Sequence, residues 1–339
     1  MASSELHFGV AIDGAGYHPA AWRASGVEPA ALFTVGPYLA AAGLAESAKL
    51  DFVTLDDSLG VQPGESSVVR GRLDALLTLA ALGPVTHSIG LVPTVTTTHI
   101  EPFHVSTAVA TLDHVSRGRA GVLAVPSRTE AEVRHFGRRT LPSASEARVE
   151  NTEVIDVVTR LWDSWEDDAI VRDEPTGRFI DRDKLHYVDF EGTFFSVKGP
   201  SITPRPPQGH PVVATYGEDH DLLIEGKTLA IVSVLLGETE QHALDRRRQL
   251  DSLYGNEFRP PGRDFVGTPA ALAAALRVWS TGVDGFLIRP AVLPDDLELF
   301  ANETVPELRR AGLIREDYTG TTLREHLGLA KPANQYQGV

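Results

Sequence analysis

Short apolar runs alternate with longer amphipathic stretches along almost the whole chain, and this alternation restricts the fold more than any other feature. Residues 6–12, 52–55, 88–93, 120–125, 211–215, 229–235, 264–266 and 284–288 read as strands. They are nearly all apolar instead of alternating apolar and polar, the pattern of strands covered on both faces. Between them, residues 36–49 carry Ala40, Leu44 and Ala48 on one helical face, and residues 146–165 carry Val149, Ile155, Val158 and Leu161. Further helices are expected at 73–82, 103–115 and 241–254, from Thr268 or Pro269 to Trp279, and at 295–311. Eight strand-then-helix units with no break in composition predict an α/β chain folded as one (β/α)8 TIM barrel spanning residues 1–339.

Two segments depart from that rhythm. Residues 167–209 are polar, aromatic and rich in Pro and Gly, and are expected to form an inserted hairpin over one mouth of the barrel. Its aromatics, Phe179, Tyr187, Phe190, Phe194 and Phe195, suit either the wall of an apolar pocket or the hairpin's own packing face. Residues 314–339 have little periodicity and are expected to wrap the barrel or a partner subunit.

Composition removes several classes of function. The chain has 339 residues, 31 Lys and Arg against 46 Asp and Glu, and a formal charge of −15. Such a surface repels nucleic acid and anionic membranes. With no cysteine, disulfides, thiolate metal sites and a cysteine nucleophile are excluded. The 12 histidines are scattered without metal-ligand spacing, so no metal site is expected. No apolar run reaches the ~18 residues of a membrane span, and the first residues lack a signal-peptide pattern, so a cytoplasmic protein is expected.

A series of ordered blocks is more specific. His18-Pro19-Ala20-Ala21-Trp22-Arg23 is followed by a strand ending at Asp56-Asp57, then by Gly90-Leu91-Val92-Pro93-Thr94-Val95-Thr96-Thr97-Thr98-His99-Ile100-Glu101-Pro102. Next come Leu112-Asp113-His114-Val115-Ser116-Arg117-Gly118-Arg119, Leu161-Trp162-Asp163-Ser164-Trp165 and Gly199-Pro200 with Pro207-Gln208-Gly209-His210-Pro211. The series continues with Val266-Gly267-Thr268-Pro269, Asp284-Gly285-Phe286, Val305-Pro306-Glu307-Leu308 with Gly312-Leu313, and Thr322-Leu323-Arg324-Glu325-His326-Leu327-Gly328-Leu329. In this order the blocks resemble the bacterial-luciferase-like flavin monooxygenases, in the branch of the nitrilotriacetate, EDTA, dibenzothiophene-sulfone and long-chain-alkane enzymes. The resemblance implies reduced FMN supplied by a separate NAD(P)H:flavin reductase, O2 as co-substrate, a small organic substrate and a homo-oligomer. The cofactor would carry the chemistry while the protein binds, orients and excludes water.

The resemblance also nominates residues. His18, after the first strand, would be the catalytic residue, hydrogen-bonding substrate or peroxide, with a surface-loop histidine as the competing reading. Asp57, Thr96 and Ser127 would contact the cofactor, as would Gly217, Glu218 and Asp219 after the fifth strand. His99 is expected in the pocket wall, and residues 113–119 in a structural polar network at the opposite end of the barrel. Bland roles compete: a turn or helix cap for Asp57, and β-propensity or turn bonding for the threonines. The chain also departs from the family pattern. Leu123 and Pro126 stand where an Asn and a Thr are usual, Ser145 and Val149 where a His and a Tyr are usual, and Glu218-Asp219 where two serines hold the flavin phosphate. Asp219 could itself cap the following helix and occupy the N-terminal amides a phosphate would use. Arg128, Arg134, Arg138 and Arg139 offer compensating cations or a solvated basic loop. Two other functions follow from these departures: a flavin-free paralogue acting as a structural or regulatory subunit, or an F420-dependent oxidoreductase.

Overall fold

A computed structural model describes residues 5–62, 69–127, 129–137, 139–217 and 221–337. The first half delivers β1 (His7–Ala11), α1 (Gly36–Ser47), β2 (Phe52–Leu55), α2 (Ala75–Leu82), β3 (Gly90–Thr96), α3 (Pro102–Ser116) and β4 (Gly121–Val125). Then follow α4 (Glu130–Phe136), α5 (Ala144–Asp163), and two small hairpins, β5 (Ile170–Asp173) with β6 (Arg178–Ile180) and β7 (Phe190–Glu191) with β8 (Ser196–Val197). The second half holds β9 (Val212–Tyr216), β10 (Leu222–Ile224), β11 (Lys227–Leu236), α6 (Glu240–Tyr254), β12 (Arg263–Gly267), α7 (Pro269–Trp279) and β13 (Gly285–Pro290). It closes with α8 (Asp295–Leu299), a π-helical turn, α9 (Val305–Arg310) and α10 (Leu323–His326). Local chemistry sets several starts: Ser143 with Glu146 and Thr129 with Glu132 form capping boxes at α5 and α4.

The strands close into an eight-stranded barrel with helices outside, as the alternation predicts. Strands β1, β2, β3, β4 and β9 run parallel in sequence order, and β11, β13 and β1 pair in parallel on the far side. The detail differs at one stave. Among the described residues no helix follows the fifth strand; β10 runs antiparallel to both β9 and β11 and completes the ring. Length explains this. Only residues 217–226 separate β9 from β11, whereas a parallel crossover needs about a dozen residues or more. A two-residue turn, Glu225-Gly226, has positive φ at both positions (43° and 89°), the geometry of a type I′ hairpin. The strand expected at 264–266, β12, pairs with the C-terminal half of β11 instead of forming a stave between β11 and β13.

The core has two layers. Phe8, Val10, Leu50, Leu79, Phe286 and Phe300 pack between strands and helices, while Phe52, Val92, Leu123, Ile231 and Leu287 belong to a second cluster. The C-terminal segment enters that second cluster through Leu323 and Leu327, both fully buried. Gly90 makes room for it: a Cβ there would lie 2.5 Å from Leu323 Cδ1. Bidentate bonds from Arg324 to Glu225 (2.9 and 2.6 Å) and the Asn334 side-chain amide on Asp163 and Trp165 carbonyls hold the rest. The tail therefore belongs to the barrel. No described helix is long and apolar enough to cross a membrane.

Candidate active site

The C-terminal strand ends form the mouth, the end at which barrel enzymes place their chemistry. After β1 the chain turns across the end of β13. Gly16, at φ 122°, permits this: a Cβ there would stand 2.4 Å from the Ala291 carbonyl oxygen. Tyr17 N–H then donates to Pro290 O (2.9 Å) and His18 N–H to Ala291 O (3.1 Å). This zipper lays the Tyr17 ring 4.9 Å from the Arg289 guanidinium, which also faces Tyr216 at 6.0 Å and donates to its hydroxyl at 3.3 Å.

Two cavities open here. One, of about 440 Å³, is lined mainly by aromatic and apolar groups, including Trp22, Phe33, Tyr38, Tyr254 and Phe258. The other, of about 290 Å³, is lined by Thr54, Thr94, Tyr216 and Arg289 among others. Asp13, Tyr17 and Asp56 line both, so the two spaces adjoin. Asp13 Oδ1 accepts the Asp56 N–H at 2.6 Å. Burial and the neighbouring Asp56 carboxylate push Asp13 up to about 7, against the pull of that N–H and of Arg289 and Arg72. Burial also raises Tyr17 and Tyr216, so both phenols stay neutral. For Arg289 burial works against the charge, but Tyr216, Tyr17 and Asp13 outweigh it and raise its pKa.

Buried hydroxyls stand at the same strand ends: Thr94 lines the smaller cavity, while Thr96 at the end of β3 and Ser127 after β4 line neither. Thr94, Thr96 and Ser127, at 2%, 4% and 3% exposure, each keep a side-chain oxygen without a hydrogen-bond partner. So does Ser233, which pairs in register with Arg289 across β11 and β13. Buried polar atoms are normally satisfied. Orphaned polar atoms also occur elsewhere, as at Ser106, Arg315 and His326; of the four hydroxyls here, Thr94 lines the smaller cavity. The hydroxyls of Thr94, Thr96 and Ser127 fit the polar edge of a flavin ring, which presents both donors and acceptors.

The other nominated residues are placed as follows. Both ring nitrogens of His18 are engaged: Nδ1 accepts from Ala20 N–H (3.1 Å) and Nε2 faces Asp251 Oδ1 (3.3 Å). Burial lowers its pKa against the pull of Asp251. It lines the larger cavity as a neutral wall residue. Asp57 turns away: its carboxylate accepts from Ser58 N–H (2.7 Å) and from Ala75 N–H at the start of α2 (2.9 Å), so Asp56, not Asp57, faces the mouth. Gly217 N–H donates to Asp221 O and closes the β9–β10 turn. Because a hairpin stands there, the helix N-terminus expected for a phosphate is absent. Glu218 and Asp219 lie outside the described residues, as do Arg128 and Arg138.

Arg139 is bound bidentately by Glu150 (2.7 Å each). Ser145 and Val149 lie on the exposed side of α5. His99 stacks on Phe136 at 4.7 Å, with Nε2 buried and unpartnered. The insertion's aromatics do not line either cavity: Phe190 and Phe195 pack on Val157 and Leu161 of α5, and Phe179 and Tyr187 are exposed. Among the described residues no group of three or more His, Asp or Glu is set to hold a metal. Sequence reasoning missed Asp13, Tyr17, Tyr216 and Arg289. The available signal was a charge at the end of an apolar strand, as at Arg289 in Gly285–Pro290.

Comparison with known proteins agrees with this architecture. The luciferase-like monooxygenase family model matches residues 15–278. N-acetyl-S-(2-succino)cysteine monooxygenase of Bacillus subtilis is 29% identical, covering 98% of each chain. Nitrilotriacetate monooxygenase component A of Aminobacter aminovorans is 30% identical, again over 98% of each. That alignment runs over 445 positions, more than the 339 residues here, so the relative carries segments this chain lacks. Among solved structures, EDTA monooxygenase from Chelativorans sp. BNC1 superposes with a TM-score of 0.84 at 22% identity, covering 97% of this chain and 99% of that one. The chain belongs to the luciferase-like monooxygenase family.

Proposed function

We propose that this protein is a flavin-dependent monooxygenase that takes reduced FMN from a separate NAD(P)H:flavin reductase and uses O2 to oxygenate a small organic substrate. The observation that carries this reading is the set of buried, unpartnered hydroxyls of Thr94, Thr96 and Ser127 at the mouth. They would bind the flavin's polar edge and fix its plane. Bound reduced flavin supplies the electrons that activate O2. The aromatic wall from Trp22 to Phe258 would exclude water from the reacting groups, and the Asp13–Arg289 side would orient the substrate. His18 is a positioning residue, since Asp251 and Ala20 occupy its nitrogens.

One observation favours a second reading. With a hairpin after the fifth strand, the helix that would present amides to a phosphate is missing. A barrel so altered fits a flavin-free subunit of a larger assembly. Anaerobic titration of the purified protein with reduced FMN separates the two. Micromolar binding is expected; no binding at millimolar flavin would favour the subunit reading. Reduced F420 titrated in parallel tests the deazaflavin alternative, and tighter binding of F420 than of FMN would establish it.

A further inference from the structure

The smaller cavity holds an acid and a base that feel each other's charge but form no ion pair. Asp13 and Arg289 both line its 290 Å³. No nitrogen of Arg289 lies within 4.0 Å of a carboxylate oxygen, and Asp13 has no basic nitrogen within that distance, among the described residues. Arg289 is instead clamped between the rings of Tyr17 and Tyr216, and Asp13 is fixed by the Asp56 N–H. Burying a charge without a partner costs several kcal/mol, so folded proteins pair such groups or use them on ligands. A lone anion would satisfy Arg289 and leave Asp13; a lone cation would do the reverse. The gap between them is the place for one molecule that carries both charges. Ser233, level with Arg289 on the neighbouring strand, adds an unpartnered hydroxyl.

We propose that the barrel mouth recognises a zwitterionic small molecule, its carboxylate held by Arg289 and its protonated amine by Asp13. This rests on reading the mouth as the substrate site and names the substrate class, an amino-carboxylate. The carboxylate takes charge-assisted bonds from a guanidinium whose plane the two tyrosines fix. The ammonium requires an ionised Asp13. The free carboxyl stands at about 7, with Asp56, Arg289, Arg72, Tyr17 and Tyr216 as the charged or titratable groups facing it. Ammonium binding therefore displaces a proton, and affinity rises between about pH 6 and pH 8.

Isothermal titration calorimetry on the full chain tests this without turnover. The probes are glycine, β-alanine, 4-aminobutyrate and 6-aminohexanoate, with propionate, propylamine and inorganic phosphate as single-charge controls. One amino acid of the series should bind at least ~10-fold tighter than propionate or propylamine, since each charged hydrogen bond is worth a factor of that order. Asp13→Asn should abolish that preference and the pH dependence while keeping propionate binding. Arg289→Gln should keep only the amine. Circular dichroism and thermal unfolding check that both variants fold, and the wild-type series stands without them. Equal binding of propionate, or of phosphate, and the best amino acid would overturn the proposal, as would no binding of any probe. Reduced FMN titration keeps the two readings apart. Flavin binding without an amino-acid preference sinks this inference alone, and the converse sinks the monooxygenase reading alone.

Discussion

Arg119 at one end of this barrel and four buried hydroxyls at the other are treated in opposite ways, although Arg315 Nη1 and His326 Nδ1 at the closed end also lack a partner among the described residues. At the N-terminal end Arg119 is 2% exposed and places all five of its N–H bonds: on Ser116 O, Ile89 O, Gly83 O, Thr86 O and the Thr86 hydroxyl, at 2.7–2.9 Å. Asp113 accepts from Ala120 N–H and from both the backbone and the side chain of Gln208. Leu323 and Leu327 seal the space above them. At the other end, Thr94, Thr96, Ser127 and Ser233 are as deeply buried but have no partner among the described residues. The fold satisfies every donor of Arg119 at the closed end and leaves these four hydroxyls without a partner among the described residues at the other.

That contrast can be broken from either end. The largest effect is expected from Arg119→Met, which leaves several buried carbonyls without donors. Urea unfolding should show a loss of about 3 kcal/mol or more; a loss under about 1 kcal/mol would mean that the closed end is not where stability resides. Leu323→Ala should cost ~2–5 kcal/mol by opening the plug, with flavin affinity unchanged within about two-fold. A parallel loss of flavin binding would show that the two ends are coupled.

A smaller effect is expected at the mouth, from Asp13→Asn. Folding raises the Asp13 carboxyl from 3.8 to about 7, so the native state holds its proton more tightly than the unfolded chain. Stability is then complete below about pH 4 and falls as pH rises toward and through 7. Asparagine keeps the oxygen that accepts from Asp56 N–H and removes the titration. The variant's thermal midpoint should match wild type near pH 4 and exceed it near pH 8 by on the order of 2 °C. Equal midpoints at both pH values would contradict the burial argument.

Much of the barrel was legible in the sequence because its strands are apolar on both faces: β2, β3 and β4 are buried at every position. The hairpin strand β10 was not. It is three residues long, and its turn uses Glu225 at a φ of 43°, where Asn, Asp or Gly would advertise a type I′ turn. Arg324, 99 residues away, holds that glutamate bidentately, and no local pattern encodes such a partner. At the site, Thr96 and Ser127 are nominated by motif and strand end together, and the structure buries both. Strand ends point alternate residues to opposite sides, and Asp56 faces the mouth while the nominated Asp57 holds the start of α2, a distinction the Asp56-Asp57 pair does not reveal in the sequence. Asp13 and Arg289 meet only because β1 and β13 are adjacent staves, Val10 pairing with Ile288 across the closing seam.

The proposed function rests on the hydroxyls of Thr94, Thr96 and Ser127 binding reduced flavin. Anaerobic binding of reduced FMN to wild type and to the Thr94→Val, Thr96→Val double variant tests it most directly. The variant should be as stable as wild type, or more so by up to about 1 kcal/mol, because each valine removes a buried hydroxyl that has no partner in the protein. Its affinity for reduced FMN should be at least ~10-fold weaker. Micromolar binding that is identical in both proteins would contradict the claim.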